Sequence, residues 1–253
     1  MTYSHLTPIL LNSYSYGLAT DPALTMLHRY LYLAFLPPAF PHPDLMLPPT
    51  VHYLRSSGFD QAGTETLPPW MAQLAKLPTV HASLGTIFHR MPGVFDAIIK
   101  GLRDEELNLI VAVGRDQDPA MFGPQPPNVR IERYIAHSLL LPYCDAIVTH
   151  CGFGSMMACL DHGLPMVAMP LAGDQPANAA RCVALGAACL VPPDRRTPEA
   201  IRDATLEVLR NPRYRESAMR LKREMEALPG LEHAVDLLEI LAATKAPILW
   251  ESR

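Results

Sequence analysis

From Thr79 to Thr244 the apolar positions of the chain alternate between two periods. Short runs of β-branched and other apolar residues at Thr79–Ser83, Leu107–Val113, Val129–Ile131, Asp145–Thr149, Pro165–Met169 and Ala188–Val191 predict six strands. Helical spacing occupies the intervals, predicting helices over Phe88–Leu102, His137–Leu141, Gly154–His162 and Pro176–Leu185. Gly163 and Gly186 stand where the third and fourth of these should stop. Thr197–Arg210, Pro212–Leu228 and Leu231–Thr244 predict three closing helices, with Pro198 and Pro212 in first-turn positions. Strands bounded by helices in strict alternation predict right-handed βαβ units. The fold class is therefore α/β, a doubly wound parallel sheet.

The segment before this pattern is different. Ala23–Tyr30 reads as helical, Leu31–Leu36 and Thr50–Leu54 as strands, and Leu67-Pro68-Pro69-Trp70 as a linker. Two strands and a helix do not close a doubly wound sheet. Two readings stay open: residues 1–70 are the end of another domain, or they are an N-terminal extension packed on the main one. In either case residues 71–253 form the main domain.

Composition narrows the function classes. The chain has 253 residues, 49% of them hydrophobic and 18% charged, which excludes a disordered chain. Its formal net charge of −4 provides no basic field, so nucleic acid is not the expected partner. The apolar run Tyr30–Leu36 is cut by Pro37-Pro38, well short of the roughly 20 residues a membrane helix needs. Met1–Leu11 has no basic stretch leading into a long apolar core. The five cysteines (Cys144, Cys151, Cys159, Cys182, Cys189) are odd in number and lie in apolar runs without a CxxC pair. They read as reduced core thiols of a cytoplasmic protein, not as zinc ligands or disulfides.

A doubly wound sheet binds ligands beyond the carboxyl ends of its strands, where the winding reverses. In the usual strand order the first and fourth predicted strands are neighbours there. Their loops are Gly85-Thr86 and His150-Cys151-Gly152-Phe153-Gly154-Ser155. The second opens a helix, so its backbone amides and the helix dipole favour an anion, with the Ser155 hydroxyl and a His150 ring N–H as further donors. A diphosphate cradle is one reading and a simple tight turn the other. There is no GxxxxGK[ST] motif, and Gly152 and Gly154 are followed by Met157 where a dinucleotide fingerprint has its third glycine. Asp174 is a natural helix N-cap. Together, Asp174 and Gln175 also supply the donors and acceptors that sugar hydroxyls require. Tyr134 reads either as a surface tyrosine or as a stacking surface for a base.

The stretches PTVHASLGT (Pro78–Thr86) and RYIAHSLLLPYCDAIVTHCGFGSMMACLDHGLPMVAMPLAGDQPANAARC (Arg133–Cys182) resemble the donor-sugar signature of family 1 glycosyltransferases of GT-B fold. The bacterial natural-product, macrolide-type branch is the most similar. The resemblance runs from about Leu67 to Thr244. It implies that Tyr134 and His137 bind the base, and that Gly85, Thr86, His150, Gly152, Phe153, Gly154 and Ser155 bind the diphosphate. It also implies that Asp174 and Gln175 hold the sugar. The implied donor is a UDP- or dTDP-sugar, the acceptor a small hydrophobic hydroxyl compound, and neither a metal nor another cofactor takes part. Tyr134-Ile135-Ala136-His137 replaces the commoner aromatic-x-Pro-Gln, and Ala158 stands where plant members carry a ribose-binding glutamate. The family's catalytic histidine belongs to its acceptor domain. His5, His28, His42 and His52 lack its surrounding motif, so the base is assigned to none of them. The expectation is the donor-binding half of an inverting glycosyltransferase. A non-catalytic sugar-nucleotide-binding subunit, which needs a separate acceptor subunit or self-associates, is the competing class. A sugar-nucleotide epimerase is a third.

Overall fold

The computed structural model describes residues 25–55, 63–85 and 91–250. The chain divides into two compact units, one made of residues 1–35, 43–54 and 229–253 and the other of 36–42 and 55–228. These cuts do not coincide with a single boundary at residue 70. The final stretch from Pro229 groups with the early segments, and Leu36–His42 groups with the later ones.

In the first unit, strands β1 (Tyr32–Ala34) and β2 (Val51–Tyr53) pair in parallel, with Leu33 opposite His52. The predicted helix over Ala23–Tyr30 is realised, within the described residues, as one 3₁₀ turn at Thr25–His28. The Thr50 hydroxyl donates to the His28 carbonyl. Trp250 packs edge-on to His52 and Tyr53, at ring separations of 5.4 and 6.1 Å. Leu31, Leu33 and Phe35 are half-buried.

The second unit carries the doubly wound sheet. Strands β3 (Thr79–Ser83), β4 (Asn108–Ala112), β5 (Val129–Glu132), β6 (Ala146–Thr149), β7 (Met166–Ala168) and β8 (Ala188–Leu190) are all parallel. Their spatial order is β5-β4-β3-β6-β7-β8. All six lie where the apolar runs predict them, and β3 and β6 are neighbours as expected. β7 is shorter than its run because Pro165 has no N–H to give the ladder; its carbonyl still accepts from Ile147 at 3.1 Å.

Alternate residues of each strand face opposite cores. Val80, Ala82, Leu109, Val111 and Val148 belong to one core, and Ile110, Ile147, Met166 and Ala168 to the other. Helices α1 (Val94–Leu102), α2 (His137–Leu140), α3 (Phe153–Asp161), α4 (Gln175–Ala184), α5 (Pro198–Arg210) and α6 (Pro212–Glu226) belong to this unit. The closing helix α7 (Leu231–Thr244) belongs to the first unit. Thr197 caps α5 by accepting from the Ala200 amide, Asn211 caps α6 by accepting from Arg213, and Pro198 and Pro212 follow these caps.

The linker reading of Leu67–Trp70 is corrected. Pro69–Gln73 forms a 3₁₀ turn, and Trp70 packs on the sheet's core while its indole N–H donates to Glu132 Oε1 at 2.9 Å. A tryptophan that buries its ring and satisfies its donor in this way fixes the segment to the domain. Arg181 fixes Leu36–His42 to the same unit through the Ala39 and Phe40 carbonyls, both at 2.5 Å.

Candidate functional site

A cleft of about 590 Å³ opens at the carboxyl ends of β3, β4 and β6. Its floor and walls bring together Ser83, Gly85, Arg115, Tyr134, His137 and the His150–Ser155 loop, apart from Cys151. The winding reverses between β3 and β6, so two strand-to-helix loops separate there and leave room. Of the residues the sequence singles out, Gly85, Tyr134, His137, His150, Gly152, Phe153, Gly154 and Ser155 all line this cleft. Thr86 lies outside the described residues.

The β6–α3 loop is built tightly. Cys151 adopts a left-handed backbone (φ 59°), uncommon for a residue with a Cβ, and its thiol is buried in the core. Its amide donates to Thr149 Oγ1 at 3.2 Å. Gly152 is the N-cap of α3, and no side chain caps the first turn. The helix therefore presents its dipole and leading amides without a competing carboxylate or hydroxyl acceptor.

The His150 ring is clasped by two glycines. A Cβ built on Gly85 would lie 2.6 Å from His150 Cε1 and 2.7 Å from Nε2, and one on Gly152 would overlap Nε2. Gly85 also has φ 72°, which favours glycine independently. His150 Nδ1 is buried without a hydrogen-bond partner. Burial lowers the imidazole's pKa below its usual value; His137 reinforces this, while nearby Asp174 and a hydrogen bond to the Ser83 backbone oppose it. His150 is therefore a neutral ring at neutral pH, and it gains its charge-assisted bond only when an anion draws a proton onto it.

Tyr134 and His137 also line the cleft. The Arg115 guanidinium lies 3.8 Å over the Tyr134 ring, a stacked cation–π contact, and donates to Glu65 Oε1 at 3.3 Å. His137 opens α2, and its ring is edge-on to His81, with centroids 5.4 Å apart.

The β7–α4 loop alters two expectations. Asp174 does not cap α4 with its side chain. Its backbone is helical there, and its Oδ2 instead accepts from Asn178 Nδ2 at 2.8 Å. Gln175 is 3% exposed, and its Oε1 accepts from the Leu171 and Ala172 amides at 2.7 and 3.0 Å. The acceptor atom of Gln175 thus holds the loop, which leaves only its amide N–H groups to offer a ligand. Neither residue lines the cleft itself.

Four contributors are missed by the sequence reading. Arg115 directly follows Gly114 at the end of the second strand, so the strand-end rule itself points to it. Asn178 lies one helical turn after Asp174. Arg133, next to Tyr134, lines the cleft. His81 is signalled only as a polar residue within an apolar run. The five cysteines are free, four of them buried.

Comparison with known proteins agrees with this architecture. The CalG4 calicheamicin glycosyltransferase structure is similar over 97% of this chain and 63% of its own, with a TM-score of 0.77 and 26% identity. The structure of glycosyltransferase VinC in complex with dTDP has the same fold over 84% of this chain and 52% of its own, with a TM-score of 0.71 and 24% identity. The 4'-demethylrebeccamycin synthase of Lentzea aerocolonigenes is 33% identical over 210 residues, covering 83% of this chain and 49% of that protein. The chain thus spans about half the length of this curated relative. The model of the erythromycin biosynthesis protein CIII-like C-terminal domain matches residues 97–241, more than half of the chain, and the chain belongs to that family.

Proposed function

We propose that this chain is the donor-binding half of a metal-independent, inverting glycosyltransferase that uses a UDP- or dTDP-sugar. The observation that carries the reading is the juxtaposition of His150, held between Gly85 and Gly152, with the uncapped N-terminus of α3 at one end of the cleft. Backbone amides, a helix dipole and a protonatable ring in one place suit a diphosphate leaving group. Tyr134 and His137 line the same cleft and serve the base. Asp174, near enough to His150 to act on its charge, serves the sugar hydroxyls.

In this reading an acceptor hydroxyl, deprotonated by a base outside this half, attacks the anomeric carbon in line with the departing diphosphate. The chain itself fixes the donor's orientation and stabilises the charge that develops on the leaving group. The acceptor is a small hydrophobic hydroxyl compound, and the base is assigned to no histidine described above. The second reading is a binding subunit completed by a separate acceptor-binding subunit.

Calorimetric titration with UDP, dTDP and their sugar derivatives, followed by a turnover assay on hydrophobic acceptors, tests both readings. Micromolar binding with transfer supports the first, and binding without transfer the second. No binding of any of these nucleotides would overturn both.

A further inference from the structure

The β7–α4 loop leaves the sheet at Pro170, and the sheet's own ladder stops just short of that residue. β8 donates to alternate carbonyls of β7, and the last rung runs from the Val191 N–H to the Ala168 carbonyl at 2.9 Å. The next rung in that alternation would join residue 193 to the Pro170 carbonyl. Residue 193 is a proline and has no N–H to give. Arg196 supplies the missing donor: its Nη2 donates to the Pro170 carbonyl oxygen. Its Nη1 meets the Met91 sulfur at 3.7 Å, and its Nε is buried without a hydrogen-bond partner. Burial lowers the pKa of this guanidinium, and no carboxylate pairs with it among the described residues. A half-buried cation without a counter-ion costs stability that a neutral side chain would not. The loop it holds is fixed by side chains further along as well. Gln175 Oε1 accepts from the Leu171 and Ala172 amides, and Asn178 Nδ2 donates to Asp174.

We propose that Arg196 is a positioning residue for sugar recognition: by holding the Pro170 carbonyl where the ladder has lost its donor, it fixes the loop that presents Asp174 to the donor's sugar. The inference rests on reading the β7–α4 loop as the sugar side of the site. Without a donor on its carbonyl, Pro170 is free to turn toward water, and the loop from Leu171 to Asp174 turns with it. The long arginine stem spans the gap that Pro193 leaves, and its planar head serves Pro170 and Met91 at once. Neither Arg196 nor Pro170 lines the cleft, so the base and diphosphate ends do not depend on this contact.

The test uses the full 253-residue chain, with UDP, dTDP and their glucose derivatives as probes in calorimetry. Arg196→Met keeps an unbranched apolar stem and removes the donor. It should weaken UDP-glucose or dTDP-glucose roughly tenfold, the scale of one charge-assisted hydrogen bond, and leave UDP and dTDP within about twofold. Adding Pro193→Ala returns a backbone N–H to the Pro170 carbonyl, so the double variant should recover most of the lost sugar-nucleotide affinity. A merely structural role for Arg196 would lower both kinds of affinity together. Equal losses, no loss, or a selective loss that persists in the folded double variant would overturn the proposal. If Arg196→Met does not fold, the double variant decides by the same ratio, and a chain that folds in neither form assigns Arg196 to the fold and overturns the proposal. Unchanged sugar-nucleotide affinity in Asp174→Ala would sink the sugar-side reading, and the proposal with it. No binding of UDP or dTDP to the unchanged chain would overturn the donor-binding reading itself.

Discussion

Asn178 binds Asp174 and the diphosphate loop with one amide group. Its Nδ2 donates to Asp174 Oδ2 at 2.8 Å and to the Cys151 carbonyl at 3.1 Å. The two loops proposed to hold sugar and diphosphate are thereby tied together, and the left-handed Cys151 is pinned by a side chain from another element. Asn178→Ala is predicted to free both. Affinity for a sugar nucleotide should fall by about 1 kcal/mol, the scale of a typical lost hydrogen bond, and nucleoside diphosphate affinity by less. Calorimetry with both ligands checks this. Equal affinities in the variant and the unchanged chain would show that the tie has no part in binding.

How far the sequence reveals this arrangement depends on what each feature rests on. Strand and helix positions rest on period, and the six apolar runs lie within a residue or two of the six strands. The His150–Ser155 loop rests on a local pattern of glycine and polar residues at a strand end, so it is legible too. The loop-holding role of Gln175 is not legible because it depends on where the side chain turns. An amide four residues beyond Leu171 reaches back to the loop amides as readily as out to a ligand. Asp174 fails as a cap because its backbone already has helical angles. Trp70 is misread because the prolines beside it signal a linker, while its indole finds a core and a carboxylate distant in sequence. The two-unit division is not legible, since it depends on contacts between segments about 200 residues apart.

Gly85→Ala is predicted to strike the site twice. The left-handed backbone at φ 72° becomes strained, and the new methyl group meets the His150 ring at 2.6 Å. The strain alone costs about 1 kcal/mol or more. Because the overlap is with an imidazole packed in the cleft, the ring must move. Thermal denaturation should show a modest loss of stability, while diphosphate affinity should fall by at least about tenfold, as expected when a charge-assisted hydrogen bond is lost. A variant of normal affinity would mean that His150 is not held where binding needs it.

His150 should take up a proton when a diphosphate binds. In the free chain burial keeps its pKa below the usual histidine value, so the ring is neutral near pH 7. A bound dianion favours the imidazolium and raises that pKa. Affinity should therefore increase as pH falls from about 8 toward 6, and binding heats should vary with the ionisation enthalpy of the buffer. His150→Gln should remove both effects and retain the fold. Heats independent of buffer in the unchanged chain would count against a protonatable His150 at the phosphates.

Asp161 gives a stability prediction free of any ligand. It is the last residue of α3, where the helix dipole disfavours a negative charge. Burial raises its pKa to about 6, against the opposing pull of His162, Lys222 and Arg55. The folded state thus holds the proton more tightly than the unfolded chain, whose carboxyl titrates near 4. The sign follows: Asp161 costs nothing below about pH 4, its cost grows between pH 4 and 6, and it is constant above. Asp161→Asn, which stays neutral, should leave stability almost unchanged at pH 4. At pH 7.5 it should add about 1 kcal/mol, a figure reduced from the full shift because the carboxyl is only partly buried. Urea denaturation of both proteins at the two pH values measures the difference. A variant less stable than the unchanged chain at pH 7.5 would mean that the attraction of the neighbouring His162, Lys222 and Arg55 outweighs the burial of the charge.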